Sequence, residues 1–394
     1  MSNPTLRFKS ANGLNFPDTV SCTLSDISKY SKGTIERKNC LFIGNEQLVS
    51  NFGGATLEFR TEAKGTEFNN SDILFGNIRP YLKKVWLSDQ SGIASPDVLI
   101  FKVTDSIPGY LKCILSSERF FNHVAQGYKG SKMPRGDKHQ IMDFRIQCPC
   151  LEEQQKIASF FSTLDQKIEL NERKIEALEK LKKGVMQQLF SKKKRFLNEN
   201  EDEFPLWDKT TVQEVASVGD IDHKMPKSVD SGIPYLMTGD LFQKDGINWD
   251  CVKQISEEDY EILSSKFKPE QNDTVIARYA SVGAVKFIEF NKKFLVSYSC
   301  AILKPKTKIF PKFLYYCLSS NNVQSQIKKM INSGTQANIG IKDINKIGID
   351  FPVMAEQVKI SNVLSSIDKK IEIERQKTTC LKKLKNGFMQ QMFV

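Results

Sequence analysis

The chain is written twice. Residues 153–190 read EQQKIASFFSTLDQKIELNERKIEALEKLKKGVMQQLF, and residues 356–393 read EQVKISNVLSSIDKKIEIERQKTTCLKKLKNGFMQQMF. The offset is 203 throughout, without a gap, and 19 of the 38 positions are identical. Pro149 and Pro352 match at the same offset, just ahead of Glu153 and Glu356. A second match, Arg7-Phe8 with Phe16-Pro17 against Arg195-Phe196 with Phe204-Pro205, runs at an offset of 188. Self-similarity of this kind dictates a fold of two equivalent units rather than one. Each half is a short lead, a variable domain of about 140 residues and a closing segment. The offsets differ by 15, so the second variable domain carries about that many extra residues.

Both closing segments read as helices: they hold no proline and are rich in Lys, Glu, Gln and Leu. In the first, Ile157, Phe161, Leu164, Ile168, Ile175, Leu178, Val185 and Leu189 fall at spacings of three and four. In the second, Ile360, Leu364, Ile367, Ile371, Leu381, Phe388 and Met392 do the same. That is the seam of a coiled coil or helical hairpin. Polar interruptions coincide, Asn171 with Glu374 and Lys182 with Lys385, and polar seam positions restrict register and partner. An antiparallel pair would relate the two variable domains by a pseudo-twofold axis. The alternative is that each helix packs only on its own domain.

Within the variable domains, short apolar runs alternate with polar loops. Strands are expected at 72–75, 98–101, 273–277 and 285–288, and helices around 110–124 and 311–331. The fold class is α/β: two mixed α/β domains joined by two long antiparallel helices in a coiled coil. The boundaries read 1–150 for the first domain, 151–191 for the first long helix and 192–205 for a linker. The second domain then takes 206–352 and the second long helix 353–394. Lys192-Lys193-Lys194-Arg195 is read as a solvated linker rather than a phosphate contact or a complement to the helix C-terminus.

Composition narrows the function classes. With 40% hydrophobic and 26% charged residues, the 394-residue chain reads as soluble and globular. No apolar run nears the roughly 18 residues of a membrane span, and Met1 to Arg7 holds no apolar signal core, so a cytoplasmic location is expected. Nine cysteines without a Cys-x-x-Cys pair, and three histidines (His123, His139, His223), do not make a metal site; reduced thiols used as small apolar residues are expected. The net charge of +11 attracts polyanions, chiefly nucleic acid or an anionic membrane, and organisation rather than charge decides between them.

Enzyme signatures are missing. There is no Gly-x-x-x-x-Gly-Lys-Ser/Thr loop and no Pro-Pro pair for the Asp/Asn-Pro-Pro-Tyr/Phe motif of amino-methyltransferases. Asn51-Phe52-Gly53-Gly54 is not a cofactor loop. Asp97 followed by Lys102 imitates a nuclease strand pair, but position 100, where a second metal-binding carboxylate belongs, is Ile. No Ser or Cys motif accompanies a histidine. No catalytic residues and no metal are assigned.

The repeat resembles the specificity subunits of type I restriction–modification enzymes, over nearly the whole chain. The closing segments carry the resemblance most strongly, from Glu153-Gln154 to Met186-Gln187-Gln188-Leu189-Phe190 and from Glu356-Gln357 to Met389-Gln390-Gln391-Met392-Phe393. Weaker matches are the strand starts at Asp72 and Asp273, Ile233-Pro234-Tyr235, and Ser333-Gly334-Thr335-Gln336 leading to Phe351-Pro352. The resemblance implies two target recognition domains, each reading one half of a bipartite double-stranded DNA site, with the paired helices setting the gap. It implies no cofactor in this chain. Two methyltransferase subunits would bring S-adenosylmethionine, and two restriction (motor–nuclease) subunits would bring ATP and Mg²⁺.

For such a function, Lys and Arg supply affinity at phosphates and side chains at base edges supply specificity. In the first domain the choice falls on Arg79 and Lys83, and on the loop carrying Tyr128, Lys129, Ser131, Lys132 and Arg135. In the second it falls on Arg278, Tyr279 and Ser281, and on Thr335, Gln336 and Asn338. Arg favours guanine, and Gln and Asn favour adenine. Two competing classes remain: a coiled-coil scaffold joining two protein-binding domains, and an enzyme with an unrecognised site. Salt-dependent DNA binding discriminates against the first, and cofactor binding by the isolated chain would favour the second.

Overall fold

The computed structural model describes residues 4–130, 132–243, 246–331 and 337–393. By packing, the chain divides into two units, Met1–Glu172 with Gln376–Val394, and Arg173–Arg375. Each unit holds one variable domain and part of both long helices, Leu151–Phe190 and Met354–Met392. No described helix is long and apolar enough to cross a membrane.

The same sheet is built in both units. In the first, strands lie in the order Ser28–Tyr30, Val98–Val103, Ile73–Gly76, Val85–Leu87, all antiparallel. In the second the order is Ala216–Gly219, Cys300–Pro305, Thr274–Ala277, Val285–Phe287, again antiparallel. The central strands are apolar through 73–75, 98–101, 275–277 and 300–303, where both faces are covered. Alternate side chains serve different cores, as the two-residue period of a strand requires. Ile73, Phe75, Leu99 and Phe101 face the core shared with the helices, whereas Leu74, Val98 and Ile100 face a second one. In the other unit Ile276, Ala301 and Leu303 take the first role, and Val275, Cys300 and Ile302 the second.

The second core is where the units diverge. In the first unit it lies under a small closed barrel of Ile35–Ile43, Glu58–Phe68 and Gly92–Ala94. In the second its place is taken by a three-stranded sheet of Lys253–Ile255, Ile233–Leu236 and Leu295–Val296. The extra residues are spread over this region. Equivalent strands are 188 residues apart at Val20 and Asp208, and 201 apart at Ile73 and Thr274. The offset reaches 203 at the helix starts Pro108 and Pro311.

Each helix expected after the sheet is two helices. Pro108–Leu115 is followed by Glu118–Gln126, and Pro311–Ser319 by Asn321–Met330. The breaks fall at Ser117 and Ser320, whose hydroxyls accept from Phe120 N–H and Val323 N–H as N-caps. Periodicity hid the break because the apolar spacing continues across it. Ser117→Ala should lower stability by about 1 kcal/mol, read by urea denaturation. No change would mean that the helix starts without its cap.

Long-helix packing combines the two arrangements considered from sequence. Ile157, Phe161 and Leu164 join Tyr110, Leu111 and Ile114 of their own domain in one core, and Leu381, Phe388 and Met392 of the other helix, with Phe393 just beyond it, pack there too. In the second unit Ile360 and Leu364 meet Phe313, Leu314 and Cys317, together with Val185, Met186 and Leu189. Ile168, Ile367 and Ile371 are buried, while Ile175 and Leu178 are half-buried. The pairing is antiparallel within each unit. In the first, Asp165 meets Lys385 at 2.5 Å, Asn171 donates to Thr378 at 2.7 Å, and Glu172 meets Lys382 at 2.6 Å. In the second, Lys182 meets Asp368 at 2.6 Å, Glu179 meets Arg375 at 2.5 Å, and Lys174 pairs with Glu374. The coincident lysines Lys182 and Lys385 thus bind the coincident aspartates Asp368 and Asp165. Burial pushes the Asp165 carboxyl up, but Lys112 and Lys385 outweigh it and hold it below the usual carboxylate range.

The start of each helix is clamped by the lead that precedes its domain. Arg7 donates to Glu153 at 2.5 Å and to the Pro17 carbonyl at 2.6 Å. Arg195 donates to Glu356 at 2.7 Å and to the Pro205 carbonyl at 2.7 Å. Both carboxylates are buried. The neighbouring glutamines tie the same helix starts to the sheet-side loops. Gln154 donates to Pro149 O and accepts from Ile107 N–H, as Gln357 does with Pro352 O and Phe310 N–H. One lead also touches the end of the returning helix, with Thr5 N–H donating to Gln391 O at 3.1 Å. Its counterpart is Lys193 N–H to Gln188 O, at 3.1 Å. The basic run after the first helix is therefore no plain linker: Lys193 and Lys194 are exposed, whereas Lys192 pairs with Asp350 and Arg195 clamps Glu356.

Candidate nucleic-acid interface

Two loops meet at one end of each unit's central sheet. In the first unit they are residues 77–83, leaving strand Ile73–Gly76, and residues 127–136, leaving helix Glu118–Gln126. Both sets chosen from the sequence fall here. The loops form an antiparallel bridge at Ile78 and Arg135, and Arg79 N–H donates to Pro134 O at 2.8 Å. The second loop closes on itself through the bridge between Lys129 and Arg135.

This first pair of loops is cationic and exposed. Arg79 stands out on a left-handed backbone (φ 49°), and neither it nor Lys132, also exposed, has an ion-pair partner among the described residues. Arg135 is exposed and reaches Asp97 at 3.1 Å. That contact accounts for the carboxylate that imitates a nuclease residue. Lys129 pairs with Asp137, whose carboxyl is pulled down to about 2 by Lys129 and by the N–H groups of Gln140 and His139. Lys83 pairs with Glu118, and Tyr128 is half-buried. Ser131 lies outside the described residues.

The second unit repeats the arrangement with a bridge between Tyr279 and Asn338. Tyr279 and Asn338 are half-buried and Ser281 is exposed; Thr335 and Gln336 lie outside the described residues. Arg278 departs from its expected place at a base edge or phosphate. It is buried, 8% exposed, with Nη1 on Asp220 at 2.5 Å and Nε on the Ile339 carbonyl at 3.2 Å. Its guanidinium works inside the protein. Burial raises the Asp220 carboxyl, but Lys266, His223 and Arg278 outweigh it and hold it low.

Sequence reading missed Asn77, although it sits beside Arg79. It is buried, accepts from Gly136 N–H at 3.1 Å and donates to Gly136 O at 3.2 Å. A polar residue ending an otherwise apolar strand run, with a glycine at the end of the partner loop, was the available signal. Among the described residues no group of three His, Cys, Asp or Glu could hold a metal ion.

The sequence pattern of the type I restriction modification DNA specificity domain matches residues 18–180 and again residues 206–383. The type I restriction enzyme MjaVIII specificity subunit of Methanocaldococcus jannaschii is 26% identical over 407 residues, 97% of this chain and 94% of that protein. The putative type I restriction enzyme MjaX specificity subunit of the same organism is 26% identical over 300 residues, covering 72% and 66%. Among solved structures, the type I restriction–modification S subunit from M. genitalium gives a TM-score of 0.65 at 15% identity, over 100% and 99% of the two chains. A chain from a structure addressing complex assembly of a type I system gives 0.56 at 17%, over 95% and 97%. At such identities the solved structures speak to the fold alone. The doubled domain match covers most of the sequence, and it falls on both variable domains and both long helices. The chain belongs to the type I restriction–modification DNA specificity family and is a specificity subunit with two DNA recognition domains.

Proposed function

We propose that each unit reads one half of a bipartite double-stranded DNA site through its pair of bridged loops, and that the chemistry is done by other subunits. The observation that carries this reading is the repeat of the bridged loops at the same place in both units, Ile78 with Arg135 and Tyr279 with Asn338. Arg79, Lys129, Lys132 and Arg135 supply phosphate contacts or a two-pronged hold on guanine. Asn338 and Ser281 supply base-edge hydrogen bonds in the second unit. Two methyltransferase subunits carrying S-adenosylmethionine and two restriction subunits using ATP and Mg²⁺ complete the complex in this reading. It draws on family membership and on the missing catalytic motifs. The scaffold alternative does not account for membership in a DNA specificity family.

The purified chain should bind DNA with affinity that falls steeply as salt rises. Contact with about six phosphates predicts roughly a thousandfold loss between 50 and 200 mM salt. Selection from a random duplex pool should return one two-part motif, and the chain alone should show no methyl transfer, nuclease or ATPase turnover. Salt-insensitive binding without sequence preference would sink the reading.

A further inference from the structure

The buried latch between each pair of loops is the same device made from different chemistry. Gly76 and Ala277 end equivalent strands, so Asn77 and Arg278 occupy one position in the two units. The residues they grip, Gly136 and Ile339, are also equivalent, at the offset of 203. Two positions beyond the latch, Arg79 and Ala280 both take a left-handed backbone, φ 49° and 58°. Equivalent backbone therefore extends into the loops, and Arg278 corresponds to Asn77 rather than to Arg79.

Size complementarity ties each latch to its partner. The Asn77 amide is short and lies against the Gly136 peptide, accepting from its N–H and donating to its carbonyl as a neighbouring strand would. A Cβ on Gly136 would stand 3.0 Å from Asn77 Oδ1 and 2.9 Å from Val124 Cγ1, so a side chain has little room there. In the second unit Ile339 is fully buried, and the longer Arg278 reaches its carbonyl while Asp220 holds the other arm of the guanidinium. Backbone bonds reinforce each latch, Arg79 N–H to Pro134 O and Ile339 N–H to Arg278 O. Burying an amide or a guanidinium costs free energy that an apolar residue would avoid. What the polar groups add is direction: each fixes one loop against the other in a single register.

We propose that Asn77 and Arg278 are positioning residues, each setting base discrimination at one half of the DNA site without touching DNA. This rests on the reading that each unit's loops contact one half-site. Displacing a loop side chain such as Arg79 or Asn338 by about an ångström breaks two-pronged geometry at a base, whereas phosphate contacts tolerate the shift.

The test uses the full chain and a random double-stranded DNA pool, with the selected sequences read for each half-site. Wild type should return two defined halves. Asn77→Ala should lose about tenfold discrimination in one half and leave the other unchanged. Arg278→Met should do the reverse, while affinity for non-specific duplex stays within about twofold in both. Should either variant fail to fold, Asn77→Ser and Arg278→Lys keep a polar group while removing one arm of each latch. They should show the same half-specific loss in smaller measure. Unchanged preferences, or both halves degrading together in each variant, would overturn the proposal. Failure of wild type to select any two-part motif would instead overturn the underlying DNA-reading assignment.

Discussion

Replacing Arg195 with alanine should lower the stability of the second unit by about 3 kcal/mol and its melting transition by roughly 6–12 °C. The cause is Glu356, fully buried and held by Arg195 at 2.7 Å. Removing the arginine leaves a carboxylate in the interior without its counter-charge, which costs far more than the pair contributes over an apolar substitute. Arg195 also grips the Pro205 carbonyl, so the lead loses its anchor to the helix start. The double variant Arg195→Ala/Glu356→Gln should recover most of the loss, because a neutral amide is less costly to bury. Arg7→Ala should cost less, since Glu153 still accepts from Phe8 N–H at 3.2 Å. Calorimetry on the three variants and wild type decides it. A loss below about 1 kcal/mol for Arg195→Ala would mean that water reaches Glu356 in solution.

The second large effect concerns the core shared by helix and domain. Phe161 is 2% exposed, with Phe160 and Phe393 at ring-centroid distances of 5.3 and 6.1 Å. Phe161→Ala should cost about 3–5 kcal/mol, from the lost transfer energy and the cavity left behind. The repeat supplies its own control. The equivalent residue in the second unit is Leu364, which fills its site with no exposure. Phe161→Leu should therefore cost only about 1.5 kcal/mol, because the other copy of the scaffold accommodates leucine there. Chemical denaturation of both variants checks the contrast. Equal losses for alanine and leucine would show that the aromatic contacts, rather than volume, hold the site.

Much of this architecture was legible because duplication leaves a mark that single sequences lack. Helix seams at Phe161 and Leu364, and the central strands after Asp72 and Asp273, follow from apolar spacing alone. What stayed hidden depends on direction. The serines that split the helix pairs sit inside an unbroken apolar period, so only a cap geometry identifies them. Arg278 looked like a reader because arginine in a loop beside tyrosine has that chemistry, and nothing in the sequence announces Asp220 behind it. Asn77 was passed over for the opposite reason, being a small polar residue beside a more conspicuous arginine. Clamp pairs were half visible: Arg7 and Arg195 were matched, as were Glu153 and Glu356, but contact between lead and helix spans about 150 residues and no local pattern reports it.

The two hydrogen bonds that seat a lead on the end of a helix differ in one respect. From Gln188 to Lys193 the chain itself runs through the joint, whereas Thr5 and Gln391 are held by hydrogen bonds across separate stretches of chain. Identical anchoring is thus achieved with and without a peptide connection, and continuity there contributes little that folding requires. Cutting the backbone near Ser191 and joining Phe393 to Pro4 through a few flexible residues would exchange a covalent joint for a non-covalent one while keeping every other contact. The order in which the two halves are translated is, on this geometry, a matter of genetic arrangement rather than of structural necessity.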